Sequence, residues 1–171
     1  MSGILEGTVV RLRLAEERDI PELVRIRRHP DVFAHWRGGE DMEAAVREDF
    51  DEPGSTGYVI ELDGRVVGWI QWQAEEEPDY RHASMDIYVD PAVHGRGVGT
   101  DAVRVMCRYL IQVHGHHRLT IDPAAANTAA IRCYSKVGFR PVGVTRLSER
   151  GPDGTWHDGL LMDLLADEFI G

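Results

Sequence analysis

Seven residues, His94-Gly95-Arg96-Gly97-Val98-Gly99-Thr100, carry the clearest chemical signal in the chain. They follow a strand-like run, Met85 to Val89, and lead into a helical run from Val98 to Val113. Glycines at alternate positions between a strand and a helix make a device for holding phosphate. Lacking Cβ atoms, they let the backbone turn tightly and approach a ligand. The free N–H groups of the first helical turn then point at the anion, and the helix dipole adds to the attraction. Two commoner phosphate loops are excluded by spacing. No Lys-Ser/Thr pair closes the loop, and Thr100 stands where the dinucleotide fingerprint needs a glycine. Alone, the segment is also compatible with a tight turn that binds nothing.

A second segment lies downstream. Asn127-Thr128-Ala129-Ala130-Ile131-Arg132-Cys133-Tyr134-Ser135-Lys136-Val137-Gly138-Phe139 reads as a short helix stopped by Gly138, after which Phe139 starts a strand. In this order the two segments resemble the GCN5-related N-acetyltransferase superfamily. There, such a loop cradles the pyrophosphate of acetyl-CoA, and an Asn-x-x-Ala-x-x-x-Tyr-x-x-x-Gly-Phe segment lies beside the pantetheine arm. The chain departs from the family pattern at His94, where Gln or Arg is usual. The resemblance implies acetyl-CoA as co-substrate. Its binding residues would be Ile87, Tyr88 and Val89, then His94, Gly95, Arg96, Gly97, Val98, Gly99 and Thr100, with Asn127 and Ala130 from the second segment. It also implies that Tyr134 protonates the departing CoA thiolate, where composition alone would make it a core aromatic.

Finer features resemble the aminoglycoside 6′-N-acetyltransferases: Asp86, Asp122-Pro123, the Asn127–Phe139 segment and His35-Trp36-Arg37-Gly38-Gly39-Glu40. That resemblance implies direct transfer of acetyl from acetyl-CoA to an aminoglycoside amine, the 6′-amine, in a ternary complex. The chemistry is consistent. An amine becomes a nucleophile only after losing its proton, and an ammonium in water mostly keeps it. A carboxylate beside the bound amine favours the cation for binding and then accepts its proton. Asp86 shares a strand face with Ser84 and Tyr88, while Met85, Ile87 and Val89 face the other way. It is the expected catalytic base, and its ordinary alternative is a surface pair with Arg81. Asp122 ends a strand, where α/β sheets often bind substrate, or else it merely shapes the turn before Pro123. Trp36, Glu77, Asp79, Asp153 and Asp158 complete the expected substrate-binding set with Asp86 and Asp122. Glu77 and Asp79 belong to an acidic loop that is otherwise just solvated.

The elements that must position these groups read in order along the chain. Thr8–Leu14 alternates as a first strand, Ile20–Arg28 is a helix stopped by Pro30, and Asp41–Phe50 is a second helix. Tyr58–Leu62 and Arg65–Trp72 flank Asp63-Gly64, a strong hairpin signal. Ala83–Val89, His117–Ile121, Phe139–Leu147 and Trp156–Leu164 are further strands. The expectation is one α/β domain over residues 1–171, with a mixed six- to seven-stranded sheet flanked by about four helices.

Composition bounds the rest. A chain of 171 residues with 43% hydrophobic and 28% charged residues fits one globular domain. Net charge of −10 opposes nucleic acid binding and suits a small cationic amine, although it also serves solubility. No apolar run is long enough for a bilayer, and no secretion signal is visible, so the expected location is cytoplasmic, as a monomer or homodimer. Cys107 and Cys133 read as reduced core thiols. His114, His116 and His117 lack a matched ligand set, so no metal is expected, and they read as cations at a helix end. Three other readings stay open. Leu12-Arg13-Leu14 and Asp19-Ile20-Pro21-Glu22-Leu23 also resemble ribosomal-protein N-terminal acetyltransferases. A non-catalytic acyl-CoA-binding module is the second, and acetylation of a small metabolite polyamine, which the acidic charge permits equally, is the third.

Overall fold

The computed structural model describes residues 3–36 and 38–171, so Arg37 of the Trp36–Glu40 segment lies outside the described residues. Among the described residues, eight strands form one sheet: β1 (Ile4–Glu6), β2 (Arg11–Leu14), β3 (Ser55–Leu62), β4 (Arg65–Glu75), β5 (His82–Val89), β6 (Arg118–Ile121), β7 (Arg140–Arg150) and β8 (Trp156–Leu165). Their order is β1-β2-β3-β4-β5-β6-β8-β7. All neighbours run antiparallel except β5 and β6, which are parallel, so the sheet is mixed. Five helices flank it: α1 (Ile20–Arg27), α2 (Pro30–Phe33), α3 (Met42–Asp51), α4 (Val98–Gln112) and α5 (Thr128–Val137).

The α/β class with a mixed sheet matches the expectation, while the counts of strands and helices are corrected upward. The single strand expected at Thr8–Leu14 is a hairpin instead, β1 and β2. Gly7 N–H bonds to Val10 O at 2.8 Å, and the Asp101 carboxylate on α4 accepts from Val9 and Val10 N–H at 2.7 and 2.9 Å. A turn closed by a carboxylate so distant in sequence has no local signature. The extra helix, α2, begins at Pro30. Proline stops α1, but it also suits a first helical position, where its missing N–H is no loss. His29 caps that turn by accepting from Asp31 N–H.

Two apolar layers sandwich the sheet. On one face α1, α2 and α3 bury Leu23, Ile26 and Val46 against Val59, Trp69 and Tyr88. On the other, α4 and α5 bury Ala102, Met106, Leu110 and Val137 against Leu12, Ile60, Ile70 and Met85. Strand alternation therefore sends Asp86 to the α1–α3 side and Met85 to the α4 side. Among the described residues, no helix is long and apolar enough to cross a membrane.

Candidate active site

Strands β5 and β6 pair at Ala83–Leu119 and Ser84–Thr120 and then part. β6 ends at Ile121, but β5 continues to Val89 with only β4 beside it. The sheet thus opens along Asp86–Val89, leaving peptide groups of β5 without a strand partner on that side. From this opening the chain passes through a 3-10 turn at Pro91–Val93 into the glycine loop. Gly95 and Gly97 have φ of +80° and +77°, the left-handed region that glycine enters freely. A Cβ at either position would meet no atom within 4 Å, so the space over the loop is open. Gly97 starts α4 without any side-chain cap, so the first-turn N–H groups are left to face that space. This concave run of amides at a helix N-terminus fits an anion.

The cofactor residues expected from sequence fall along this path in different ways. His94, Gly95, Arg96 and Gly97 are exposed, and Gly99 and Thr100 are half-buried. Val98 is buried in the core, so it offers only its backbone to the loop. Tyr88 turns its ring into the α1–α3 layer, 4.9 Å from the Trp36 ring. Asn127 caps α5 by accepting from Ala130 N–H at 3.2 Å. Thr100 donates to Cys133 Sγ at 3.3 Å, tying α4 to α5 across the loop, while Cys107 is fully buried.

Around the mouth of the opening, acidic groups converge. Burial lifts the Asp86 carboxyl from its ordinary 3.8 to about 6, helped by Asp122, Asp49 and Glu149, and opposed by a hydrogen bond from Gln71. Asp122 lies at the exposed rim just past β6, and its partial burial raises its carboxyl as well. It is held there because the following segment continues onto β8: Ala125 N–H bonds to Asp158 O at 2.9 Å and Leu160 N–H to Pro123 O at 2.8 Å. Tyr134 on α5 is buried, with its ring edge-on to Phe139. Burial first, then Cys133, Asp86 and Asp122, push its phenol above its usual range. Asp86, Asp122 and Tyr134 are therefore electrostatic neighbours, although they come from three separate elements.

Trp36 forms a wall rather than a free platform. Arg27 lies 6.0 Å from both the Trp36 and Tyr88 ring centroids, and its guanidinium reaches Asp49 at 2.9 Å. Trp36 also hydrogen-bonds Asp49. Neither Asp49 nor Glu149 was among the sequence candidates. Asp49 sits on an ordinary amphipathic helix and Glu149 on an exposed strand, and only the tertiary fold turns them toward Asp86.

The remaining expected substrate residues lie on other turns and strands, with Asp158 lining a cavity beside Thr145, Arg146 and Leu147. Glu77 and Asp79 belong to the β4–β5 turn, where Asp79 lines a shallow cavity with Tyr80, Arg81, His117 and Arg118. Asp153 bonds the amide and hydroxyl of Thr155 within its own turn. Asp158 accepts from Leu147 N–H at 2.8 Å and so stabilises an irregular stretch of the β7–β8 ladder. Arg81 does not pair with Asp86: it donates to the carbonyls of His114 and Gly115 at 2.8 and 3.2 Å. It is the cation at the α4 C-terminus, a role the sequence had given to histidines. His116 is buried there, and burial first, with Arg81 next, depresses its pKa.

Comparison with known proteins agrees with this geometry. The chain is 28% identical over 164 residues to the aminoglycoside N(6′)-acetyltransferase type 1 of Klebsiella pneumoniae, covering 85% of this chain and 79% of that one. It is 26% identical over 167 residues to the spermidine N(1)-acetyltransferase of Escherichia coli (strain K12), covering 94% and 88%. A solved structure of AAC(6′)-Ib in complex with paromomycin and acetyl-CoA superposes with a TM-score of 0.77 at 26% identity, covering 94% of this chain and 95% of that one. The model of the acetyltransferase (GNAT) family matches residues 21–139, and the chain belongs to that family of acetyl-CoA-dependent N-acetyltransferases.

Proposed function

We propose that this enzyme moves the acetyl group of acetyl-CoA to an amine of an aminoglycoside, the 6′-amine, with both substrates bound at once. The observation that carries this reading is the convergence of Asp86, Asp122 and Glu149 on one opening in the sheet. Such a mouth suits a polycation, since a cleft of one sign concentrates ligands of the other. The relatives named for aminoglycoside and spermidine acetylation support an amine of that kind.

The glycine loop amides hold the pyrophosphate, and the open edge at Ile87–Val89 pairs with the pantetheine amides. This lays the thioester beside Asp86. The acceptor binds as an ammonium between Asp86 and Asp122. Asp86, ionised above about pH 6, accepts a proton from it. The freed nitrogen attacks the thioester carbon, forming a C–N bond and a tetrahedral centre. The C–S bond then breaks, its electron pair leaves on sulfur, and the nitrogen loses its remaining extra proton to solvent. Tyr134 donates a hydrogen bond to the departing sulfur. Its raised pKa keeps the phenol protonated throughout the working range, which suits donation to a thiolate better than full proton loss.

A thiol-release assay with acetyl-CoA tests the reading, using kanamycin, gentamicin, spermidine and a ribosomal-protein N-terminal peptide as acceptors. Turnover with the aminoglycosides and product NMR showing acetylation at the 6′-amine are expected. Turnover of the peptide alone would assign the enzyme to the N-terminal acetyltransferases. CoA binding without turnover of any acceptor would make it an acyl-CoA-binding module.

A further inference from the structure

One polar relay beneath the opening is not explained by packing. Gly57 on β3 leaves room for the Trp69 indole, because a Cβ there would lie 2.1 Å from that ring. Trp69 is 1% exposed, and its Nε1–H donates to Gln71 Oε1 at 2.9 Å. An indole N–H can only donate, so the Gln71 oxygen must face Trp69 and its NH₂ must face the other way. On that other side lies Asp86, the direct cross-strand partner of Gln71, and the Gln71 side chain hydrogen-bonds the carboxylate. The relay runs from a fully buried ring, through one fixed amide, to the group at the mouth of the opening.

We infer that Gln71 is a positioning residue for Asp86: clamped by Trp69, its amide orients the carboxylate and keeps it an anionic proton acceptor. The inference rests on the role proposed above for Asp86. Among the described residues, the other groups facing Asp86 all oppose its ionisation or lend it no proton donor of comparable placement. Asp122 follows β6, Asp49 comes from α3 and Glu149 from β7, and each is acidic. The Tyr134 phenol on α5 is the remaining titratable neighbour. Without Gln71, burial and three carboxylates would act on Asp86 with no hydrogen bond favouring its charged form.

The test is a ¹³C NMR titration of the Asp86 carboxyl, identified by its loss in Asp86→Asn, together with the pH dependence of kcat/KM for kanamycin. Gln71→Leu should move the Asp86 midpoint and the acidic limb of kcat/KM upward by about one pH unit. Gln71→Glu, nearly the same shape, should move both further, because two carboxylates would then compete for one proton. Trp69→Phe, which frees the amide to rotate, should give a smaller shift. Acetyl-CoA affinity should stay unchanged in all three and reports that they fold. An unshifted Asp86 midpoint in folded Gln71→Leu or Gln71→Glu overturns the inference. A shifted NMR midpoint with an unshifted rate profile would instead discard Asp86 as the acceptor while leaving the relay intact.

Discussion

Two half-buried carboxylates on the same side of the sheet, Asp49 and Asp86, are both pushed from 3.8 to about 6, and burial is the main cause for each. Their surroundings differ in kind. Asp49 is answered by Arg27, which is 1% exposed and 2.9 Å away, and by the Trp36 indole. Among the described residues, Asp86 has no cation partner, only the Gln71 amide and three acidic neighbours. A similar pKa thus accompanies two different arrangements. One charge is neutralised inside the protein and holds α1, α3 and Trp36 together. The other is the carboxylate we propose meets the cationic substrate. On that proposal, the partner supplied rather than the degree of burial separates a structural carboxylate from a reactive one.

Exchanging each for asparagine should break the comparison cleanly. Asp86→Asn keeps the shape and removes the acceptor, so kcat should fall by roughly two to four orders of magnitude, the scale of a lost general base. Asp49→Asn should leave kcat of the folded enzyme within a few-fold of wild type. Steady-state kinetics on both variants checks this.

Stability should move the opposite way. Asp49→Asn removes the carboxylate that Arg27 reaches at 2.9 Å and should destabilise by about 1–3 kcal/mol in urea unfolding. For Asp86 the native state holds its proton more tightly than the unfolded chain. Wild-type stability therefore falls as pH rises from about 4 to about 6, and the deficit persists above that range. Asp86→Asn removes the deficit and should be more stable than wild type at pH 8 by about 1–3 kcal/mol, with the gain vanishing near pH 4. A smaller effect belongs to Tyr134. Tyr134→Phe removes one hydrogen bond to a developing thiolate, so kcat should drop by about ten- to a hundred-fold with amine affinity intact. An acyl donor with a better leaving thiol should narrow that loss.

The glycine turn before α4 was legible in the sequence because its signal is local: glycines at fixed offsets between a strand and a helix start. Motif resemblance singled out Asp86 and Tyr134, and a strand-end position singled out Asp122; the fold brings the three within electrostatic reach of one another. The mouth of the site was legible only in part. Asp49, Glu149 and Gln71 carry no mark in their own segments, since their meaning comes from α3, β7 and β4 meeting at the β5–β6 opening. Asp153 and Asp158 were singled out as acidic residues of a late hairpin; what their own segments did not reveal is that each also accepts hydrogen bonds inside that hairpin. The β1–β2 hairpin was hidden for a similar reason, since Asp101 closes its turn from a distant helix.

The central claim is that the Asp86 anion takes the proton from the acceptor amine. The pH dependence of kcat/KM, measured in parallel for wild type and Asp86→Asn with acetyl-CoA saturating and kanamycin varied, tests it most directly. For wild type, kcat/KM should rise with unit slope up to a bend near pH 6, where Asp86 becomes ionised. In Asp86→Asn that bend should disappear along with most of the activity. A variant that keeps both the bend and near-wild-type turnover would contradict the claim and move the acceptor role to Asp122 or to water.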